Sequence, residues 1–396
     1  MTLAKVKKFF SHPAWTDSRT LLGVWTLLAI IAGITKYHSC NNYKIFEGVF
    51  WHTWNGTPLY IEYPAEYWDI NMYGPFFSMI IAPFALCPTW LGIILWNVAM
   101  TLCLYYAIRK LTITDKKQMF FLWFCAHELL TALQMQQFNV VIAAIIIGAW
   151  ISFEKEKDWI AALLIVIGTF VKLYGIVGLA FFFFSKHKLK FIGYFIVFSA
   201  LAFALPMLIS SPDYIVGQYI EWFERITGKN QENLDSIAQN ISLLGLVRRG
   251  GVGLFGEGFG NFSDLCLIVP GLIAFCAPYL RFAQWKNEAF RYAFLASTLL
   301  FVVLFSTGSE SSSYIIAMSG VAIWFWTSPW KRGNWAVALM WFVFILTSLS
   351  PSDLFPRYIR SEWVQPYALK SLPCVLVWFW LIYEMLAKDY KRIQNS

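Results

Sequence analysis

The residues best suited to chemistry are acids in a polar stretch after the first apolar run. Glu47, Glu66 and Asp69 lie between residues 38 and 74, and His52 lies among them. A carboxylate can act as a general base that deprotonates an acceptor hydroxyl. Exposed acids are also common in solvated loops. The residues alone therefore leave both interpretations open for each of these side chains.

A second group of polar side chains lies at the ends of apolar runs farther along the chain. Gln137 and Asn139 follow one run, and Lys172 interrupts another just before Tyr174 and Gly175. Amides can hydrogen-bond sugar hydroxyls or phosphate, and a lysine ammonium binds phosphate as a compact charge. The alternatives are hydrogen bonding between helices for the amides and snorkelling for the lysine.

Further candidates occur in other polar segments and inside one apolar run. Arg248 and Arg249 lie in a glycine-rich stretch, which predicts a mobile loop, and their planar guanidinium groups suit phosphate or pyrophosphate. Glu310 is the acid of a short serine-rich turn, where it can contact substrate or cap the next helix. Glu128 lies within an apolar run, which makes it a functional hypothesis, with interhelical hydrogen bonding as the alternative. A structural role is expected for the adjacent His127.

Composition restricts the elements that can position these residues. Hydrophobic residues make up 58% of the 396 residues and charged residues 14%, whereas soluble domains have about 25% charged residues. A soluble chain of this length cannot bury so much apolar surface, so the sequence predicts a polytopic membrane protein. The 7 cysteines form no CxxC pair, and neither a metal site, a disulfide framework nor another cofactor is indicated.

About twelve apolar runs are suited to membrane helices, and the alternating pattern of a β-barrel is absent. We therefore predict an all-α transmembrane bundle that forms a single integral-membrane domain over residues 1–396. Within it, residues 1–210 form a core with a first outer loop at 38–74, residues 211–264 form a second outer loop, and residues 265–396 form a C-terminal helical bundle. The runs lie at about 20–37, 88–108, 118–134, 139–153, 158–171, 173–185, 190–210, 265–280, 290–306, 313–330, 334–350 and 369–387.

The basic residues predict how the chain is oriented in the membrane. One alternate set of connections holds 21 of the 31 Lys and Arg residues, and positive charge collects in cytoplasmic loops. Both termini are therefore predicted to be cytoplasmic, with residues 38–74, 211–264 and 351–370 outside. This assignment requires residues 75–87 to form a partly inserted helix, and a thirteenth span is the alternative. The net charge of +8 then reflects topology and predicts no nucleic-acid partner.

Several short motifs, in this order and spacing, resemble glycosyltransferase family 87 of the GT-C superfamily of integral-membrane glycosyltransferases. They are Gly-Thr-Pro-Leu-Tyr at 56–60, Tyr-Gly-Pro-Phe-Phe at 73–77, Ala-Pro-Phe-Ala-Leu-Cys-Pro at 82–88, Leu-Trp-Asn at 95–97, Gln-Gln-Phe-Asn at 136–139, Val-Lys-Leu-Tyr-Gly at 171–175 and Asn-Ile-Ser-Leu-Leu-Gly at 240–245, followed by Arg248. The resemblance covers about residues 20–330. It implies a GT-C-like fold and, from the family's characterised members, a polyprenyl-phosphate-mannose-dependent α-mannosyltransferase.

The resemblance also implies a mechanism. A polyprenyl-phosphate sugar enters an outer-face cavity from the membrane, and an acid of the first outer loop deprotonates a hydroxyl of a lipid or glycan acceptor. A single displacement then inverts the anomeric centre, and cationic and amide groups stabilise the leaving lipid phosphate. The resemblance and the residue types together give a set of residues expected to bind the substrate or the donor, namely Tyr73, Gln137, Asn139, Lys172, Asn240, Arg248, Arg249 and Glu310.

One position departs from the family pattern. Relatives often carry an Asp just after the first span, where this chain has Asn41 and Asn42. Because an asparagine amide cannot act as the base, either another acid has taken the role or the protein is a divergent or inactive member. Asp69 is the first candidate because it closely precedes the Tyr-Gly-Pro entry to the membrane, and Glu47 and Glu66 follow it.

The expected function is transfer of a hexose, with mannose as the first candidate, from a polyprenyl-phosphate donor. The expected location is the outer face of a bacterial cytoplasmic membrane, and the acceptor is a lipid or glycan. Two other classes stay open. A transporter or flippase of lipid-linked saccharide is expected to show inverted repeats and midplane charges, and the two halves show no clear repeat. A glycan polymerase or ligase with a diphosphate-linked donor suits the arginine pair equally well.

Overall fold

The regular structure of the described residues is entirely helical. The computed structural model describes residues 12–236 and 238–391. Its α-helices are α1 Ser18–Lys36, α2 Asn41–Asn55, α3 Phe77–Ala85, α4 Thr89–Arg109, α5 Asp115–Gln134, α6 Asn139–Glu154, α7 Asp158–Lys172, α8 Lys188–Ala204, α9 Pro212–Glu232, α10 Leu243–Phe255, α11 Leu265–Cys276, α12 Glu288–Leu304, α13 Tyr314–Trp326, α14 Asn334–Phe342, α15 Arg357–Ile359 and α16 Leu372–Ala387.

Apolar helices form most of the molecule. Among the described residues, four helical stretches are long and apolar enough to cross a membrane, namely Ser18–Ser39, Thr89–Arg109, Lys188–Leu208 and Leu369–Ala387, and five shorter apolar helices accompany them. Helices α6 and α13 are buried on nearly every side and form the centre. Helix α8 buries only Phe191 and Ala202, so its exposed apolar face suits lipid better than water. The prediction of an all-helical membrane protein is confirmed, and the number of spans stays a prediction.

Helix α3 is too short to cross a bilayer by itself. It has 9 residues, which correspond to about 14 Å at the helical rise, whereas the hydrocarbon core is about 30 Å thick. The helix packs against α2 and α4 and buries Phe77 and Ile81, and Pro83 lies within it. It therefore connects the first polar segment, residues 38–74, to the bundle.

The two long polar segments pack on each other. The first contains α2 and a series of turns, and the second, residues 211–264, contains α9 and α10. Trp222 of α9 donates a hydrogen bond from Nε1 to the Met72 carbonyl at 3.0 Å. Gln218 Oε1 accepts one from the Leu59 backbone N–H at 2.6 Å. Helix α9 therefore holds the first segment in place.

The prediction of a mobile loop around the glycines after Arg248 was wrong. Residues Leu243–Phe255 form helix α10, and Ser242 caps its N-terminus through a bond from the Gly245 N–H to its Oγ at 3.2 Å. Glycine lowers helix propensity by about 1 kcal/mol per residue, but the cap and the tertiary contacts of the two arginines outweigh that cost.

Candidate active site

A cavity of about 470 Å³ lies where the first polar segment, α9, the end of α7, and the turns before α6 and α13 meet. Its wall includes Asp69, Tyr73, Gln137, Lys172 and Glu310, which the sequence singled out. These residues lie far apart in the chain, and the packing of the two polar segments on the bundle brings them together. We call this space the reaction cavity.

Lys172 is the cation best placed to bind an anion in the reaction cavity. Its Nζ donates to Asn139 Oδ1 at 2.8 Å and to Gln137 Oε1 at 3.1 Å, and both acceptors are neutral. The Nζ also lies 5.8 Å from the ring centre of Tyr73 and 5.3 Å from that of Tyr174. In the described part of the chain, no ion pair within 4.0 Å is formed by Lys172. Its charge is thus oriented by amides without being neutralised at close range.

A local break in the backbone exposes this lysine to the cavity. Helix α7 ends at Lys172 because Leu173 adopts a left-handed conformation with φ of 46°. Gly175 then passes so close to the backbone of Gly168 that a side chain would collide with it. The chain continues as the 3₁₀ helix Tyr174–Phe184. The Lys-Leu-Tyr-Gly sequence therefore encodes the turn as well as the cation.

Amide side chains connect the cation to the rest of the cavity wall. Gln137 Oε1 also accepts a bond from the Tyr73 hydroxyl at 3.1 Å, and its Nε2 donates to Glu310 Oε2 at 3.2 Å. Asn139 is fully buried, and its Nδ2 donates to Ser312 Oγ at 3.2 Å. Both amides are used in both directions, so their orientation is fixed by partners on several helices.

Glu310 caps a helix and also lies in the wall of the reaction cavity. It begins a capping box before α13, in which its backbone N–H donates to Ser313 Oγ at 3.2 Å. Its carboxylate also lines the reaction cavity. Burial raises the pKa of the Glu310 carboxyl, the Lys172 charge opposes this shift, and Asp69 adds to it. Glu310 and Asp69 therefore influence the same space from different elements.

Asp69 reaches the cavity from a constrained backbone position. Its φ of 84° lies in the left-handed region, which Asp adopts more readily than most residues other than Gly. Its Oδ1 accepts a bond from the Ile70 N–H at 2.8 Å. Asn41 donates to the Trp68 carbonyl and accepts from the Trp68 N–H at 2.9 Å. Asn41 thus fixes the residue just before Asp69.

Of the two asparagines at the position where the resemblance led us to expect an Asp, Asn42 lies in the wall of the reaction cavity. Asn42 lines the same reaction cavity as Asp69, and its Nδ2 donates to the Met135 carbonyl at 2.8 Å. A carboxylate at position 42 and one at position 69 would therefore face the same space. This geometry favours Asp69 among the three acids that the sequence proposed.

The other two acids lie away from the reaction cavity in the described structure. Glu47 Oε2 accepts a bond from Thr89 Oγ1 at 3.3 Å, and burial raises the pKa of Glu47 to about 7. Glu66 Oε2 lies 3.1 Å from His52 Nε2. Asp69 is the one of these three acids that lies in the wall of the reaction cavity.

The two arginines contact the protein and lie outside the wall of the reaction cavity. Arg248 Nη2 forms an ion pair with Asp264 Oδ1 at 2.6 Å. Arg249 donates to the backbone carbonyls of Ser236 and Gln239. Their contribution to donor binding stays a prediction, and their observed contacts hold α10 against the neighbouring turns.

Asn240 and its neighbour Ile241 form backbone hydrogen bonds with the turn that carries Glu310. Its backbone N–H donates to the Thr307 carbonyl at 2.9 Å, and the Ile241 N–H donates to the Ser309 carbonyl at 2.8 Å. The Asn240 side chain is fully buried. This segment therefore positions the turn that carries Glu310.

One strong contact was missed at the level of sequence. Lys370 Nζ donates to Glu128 Oε1 at 2.7 Å and to Ser311 Oγ at 2.9 Å. The sequence marked Glu128 but gave no partner, because Lys370 lies 242 residues away. His127 Nδ1 lies 3.1 Å from Ser348 Oγ, in agreement with its expected structural role.

Comparison with known proteins identifies the family. A family model described as Glycosyltransferase family 87 matches residues 71–307. The chain belongs to glycosyltransferase family 87. This match confirms the family that the sequence motifs resembled and makes the protein a membrane glycosyltransferase. No curated protein matches the chain.

The matched region of this family 87 glycosyltransferase contains most of the reaction cavity. Tyr73, Gln137 and Lys172 lie inside the matched residues, Asp69 lies just before them and Glu310 lies just after them. The cavity thus offers a glycosyltransferase an accessible carboxylate, an oriented ammonium group and an amide network. These groups suit, respectively, proton removal, phosphate binding and sugar-hydroxyl recognition.

Proposed function

We propose that this family 87 enzyme is of the GT-C type and transfers a hexose, with mannose as the first candidate, from a polyprenyl-phosphate donor to a lipid or glycan acceptor. The observation that carries the proposal is the shared cavity of Asp69, Lys172, Gln137, Tyr73 and Glu310. It combines an acid from the first polar segment and a cation from the end of α7. An acceptor hydroxyl and a donor phosphate need these two charges at the same time.

Asp69 is the proposed base. Its carboxylate takes the proton from the acceptor hydroxyl as that oxygen forms a bond to the anomeric carbon of the donor. The bond between the anomeric carbon and the phosphate oxygen breaks, and its electron pair leaves with the lipid phosphate. Attack and departure on opposite faces invert the anomeric centre. The proton is then released from Asp69 to water.

Lys172 is the proposed phosphate ligand. Asn139 and Gln137 hold its Nζ through two of the three N–H donors, which leaves one donor for a phosphate oxygen. A preoriented cation stabilises charge that develops on the leaving group. Gln137, Tyr73 and Glu310 are the proposed contacts to sugar hydroxyls, and Asn139 positions the lysine.

The proposed location is the outer face of a bacterial cytoplasmic membrane, with both termini in the cytoplasm. Two observations support it. The cavity is formed by the two segments that the distribution of Lys and Arg assigns to the outside. Helix α8 buries only Phe191 and Ala202, so the molecule has an apolar surface suited to the bilayer that would carry the donor.

The diphosphate-donor alternative loses its main support. It depended on Arg248 and Arg249, whose guanidinium groups contact protein groups and neither of which lies in the wall of the reaction cavity. A monophosphate matches the single lysine that is oriented by amides.

The test is sugar transfer by the detergent-purified enzyme from synthetic polyprenyl-phosphate-mannose to acceptors extracted from membranes. Asp69→Asn is expected to lower turnover by about 10²–10⁴-fold, because a base of this kind contributes that much. Glu62→Gln removes an exposed acid of the same segment and is expected to retain turnover. Glu47→Gln and Glu66→Gln are expected to retain most of it.

Two results would overturn the proposal. Undiminished turnover by Asp69→Asn would remove Asp69 from the mechanism. Absence of transfer from any monophosphate donor, together with movement of lipid-linked saccharide across vesicles, would favour a flippase.

A further inference from the structure

Helix α16 has basic residues at the end that lies away from the reaction cavity. Its first end follows Lys370, which donates to Ser311, the neighbour of the cavity residue Glu310. The helix has 16 residues, which correspond to about 24 Å at the helical rise. Lys388 comes directly after its last residue. Lys388 is therefore separated from the turn of Glu310 by a length close to the thickness of the hydrocarbon core, which is about 30 Å.

Three lysines lie next to the contact between Trp330 and Tyr390. The two ring centres are 5.0 Å apart, and Lys331 and Lys391 directly follow these aromatic residues in the chain. Lys388 Nζ lies 4.2 Å from the ring centre of Trp330. Lys331 and Lys391 are exposed, and neither forms an ion pair within 4.0 Å with another described residue. We call Lys331, Lys388 and Lys391 the lysine cluster.

Glu384, the buried carboxylate beside the lysine cluster, is shared by four donors. Its Oε1 accepts from Lys388 Nζ at 3.2 Å and from Arg332 Nη1 at 2.7 Å. The indole N–H groups of Trp324 and Trp380 also donate to Glu384, each at 3.0 Å. The Lys388 side chain is 35% exposed, and two of its three N–H donors are left for another acceptor. Residues 327–333 and 384–391 together hold four cations and two acids, which leaves a net charge of +2.

An exposed apolar stripe on α16 leads to the lysine cluster. Its members are spaced by three, four and three residues, which places them on one face of the helix. They are Leu376, Phe379, Tyr383 and Leu386, all at least 40% exposed. The Tyr383 ring lies 5.2 Å from the Trp380 ring, and Lys388 Nζ lies 5.9 Å from the same Trp380 ring. Trp380 therefore connects the stripe to the lysine cluster.

We propose that the lysine cluster binds the phosphate of an anionic phospholipid whose acyl chains lie along this stripe. Ammonium groups bind phosphate as compact charges, and the net positive charge favours a lipid without a cation in its headgroup. The stripe favours a lipid over free phosphate, because acyl chains cover apolar surface that a small anion leaves exposed. With the reaction cavity on the outer face, as proposed above, this lipid belongs to the cytoplasmic leaflet. The binding itself does not depend on that orientation.

The experiment is native mass spectrometry of the full chain in detergent, titrated with palmitoyl-oleoyl-phosphatidylglycerol or with phosphatidylcholine that has the same acyl chains. The native protein is expected to bind the phosphatidylglycerol about tenfold more tightly or better. Replacing all three lysines of the cluster by Gln is expected to weaken its binding by about 10–100-fold, because each lysine contributes to attraction of an anionic lipid. Binding of phosphatidylcholine is expected to stay within about threefold.

A second variant preserves the buried Glu384 contacts. Lys331→Gln with Lys391→Gln leaves Lys388 on Glu384 and is expected to weaken phosphatidylglycerol binding by about threefold or more. The matched control replaces Lys110, Lys116 and Lys117 by Gln, which removes the same number of charges from another connection. This control is expected to keep the preference for phosphatidylglycerol. An equal loss in the control and in the triple cluster variant would assign the preference to net charge and overturn the proposal.

Two further results would overturn the proposal. Equal affinity of the native protein for the two lipids would show that the lysine cluster does not read the headgroup charge. Displacement of phosphatidylglycerol by millimolar inorganic phosphate would assign the cluster to a free anion and remove the role of the stripe. None of these measurements uses sugar transfer, so their failure would leave the proposed function intact.

Discussion

At the scale of single residues, Lys172 connects the architecture of the site to its chemistry. Two amide oxygens orient its Nζ without neutralising it, so replacement should affect the donor more than the acceptor. Lys172→Met is expected to raise the KM for polyprenyl-phosphate-mannose by about 10–100-fold, because a hydrogen bond between charged groups contributes about 1.5–3 kcal/mol. Initial rates at varied donor concentration measure the change.

Lys229 supplies the matched control for this prediction. It also lines the reaction cavity, but its Nζ lies 3.2 Å from Glu232 Oε2, which offsets its charge. Lys229→Met is expected to change the donor KM by less than about threefold. Equal effects of the two variants would show that general positive charge, and not the oriented Lys172, binds the donor.

Glu310 gives the site a pH dependence with a defined sign. Burial raises the pKa of its carboxyl above that of an ordinary Glu. The ionised form accepts the bond from Gln137, which in turn orients Lys172. Activity is therefore expected to fall as pH decreases through that raised pKa. Glu310→Gln should move the acid limb of the kcat/KM profile to lower pH, and an unchanged limb would assign it to another group.

Sequence reasoning identified the residues that line the reaction cavity better than it identified which charged residues form ion pairs with each other. Residue type and family motif marked Asp69, Gln137, Lys172 and Glu310, because each is polar at a break between apolar runs. Neither type nor motif reveals whether a charge is already paired. Arg248 was therefore assigned to phosphate, although tertiary packing places Asp264 at 2.6 Å from it.

At the scale of elements, one close contact joins the first polar segment to the end of α7. The Gly74 N–H donates to the Val171 carbonyl at 3.1 Å. A Cβ on Gly74 would collide with the Phe170 carbonyl and the Trp222 ring. Gly74→Ala is expected to lower stability by about 1–3 kcal/mol and to reduce activity, because Asp69 and Lys172 lie on opposite sides of this contact. Thermal unfolding in detergent and the transfer assay measure both effects.

Gly217 is the control for this contact. It lies in α9, where a Cβ would meet open space, so Gly217→Ala is expected to maintain or slightly raise stability. If Gly74→Ala unfolded at the native temperature with native turnover, the contact would not position the site.

The elements also show where pattern was insufficient. Apolar runs predicted helices because backbone groups in lipid must be satisfied internally. Local composition was a poor guide to α10, where the glycines predicted a loop and the chain forms a helix. Its cap on Ser242 and the contacts of Arg249 with distant carbonyls stabilise the helix, and neither is visible in local composition.

At the scale of the whole molecule, a buried ion pair connects the N-terminal half to the last helices. Glu128 of α5 and Lys370, which precedes α16, are 0% and 3% exposed. Lys370 also binds Ser311, the neighbour of Glu310. The pair therefore anchors the turn of the reaction cavity to two distant parts of the chain.

The effects of replacing Glu128 and Lys370 on stability should not be additive, because each residue is buried against the charge of the other. Glu128→Gln and Lys370→Met are each expected to lower the free energy of unfolding by about 3–5 kcal/mol, because each leaves a partner that was buried for an opposite charge. The double variant is expected to recover most of that loss, since it leaves no unpaired charge, yet its activity should stay reduced because Ser311 loses its donor. Thermal unfolding in detergent and transfer rates of the three variants measure this. If the double variant were as unstable as the sum of the single ones, the two residues would stabilise the bundle independently.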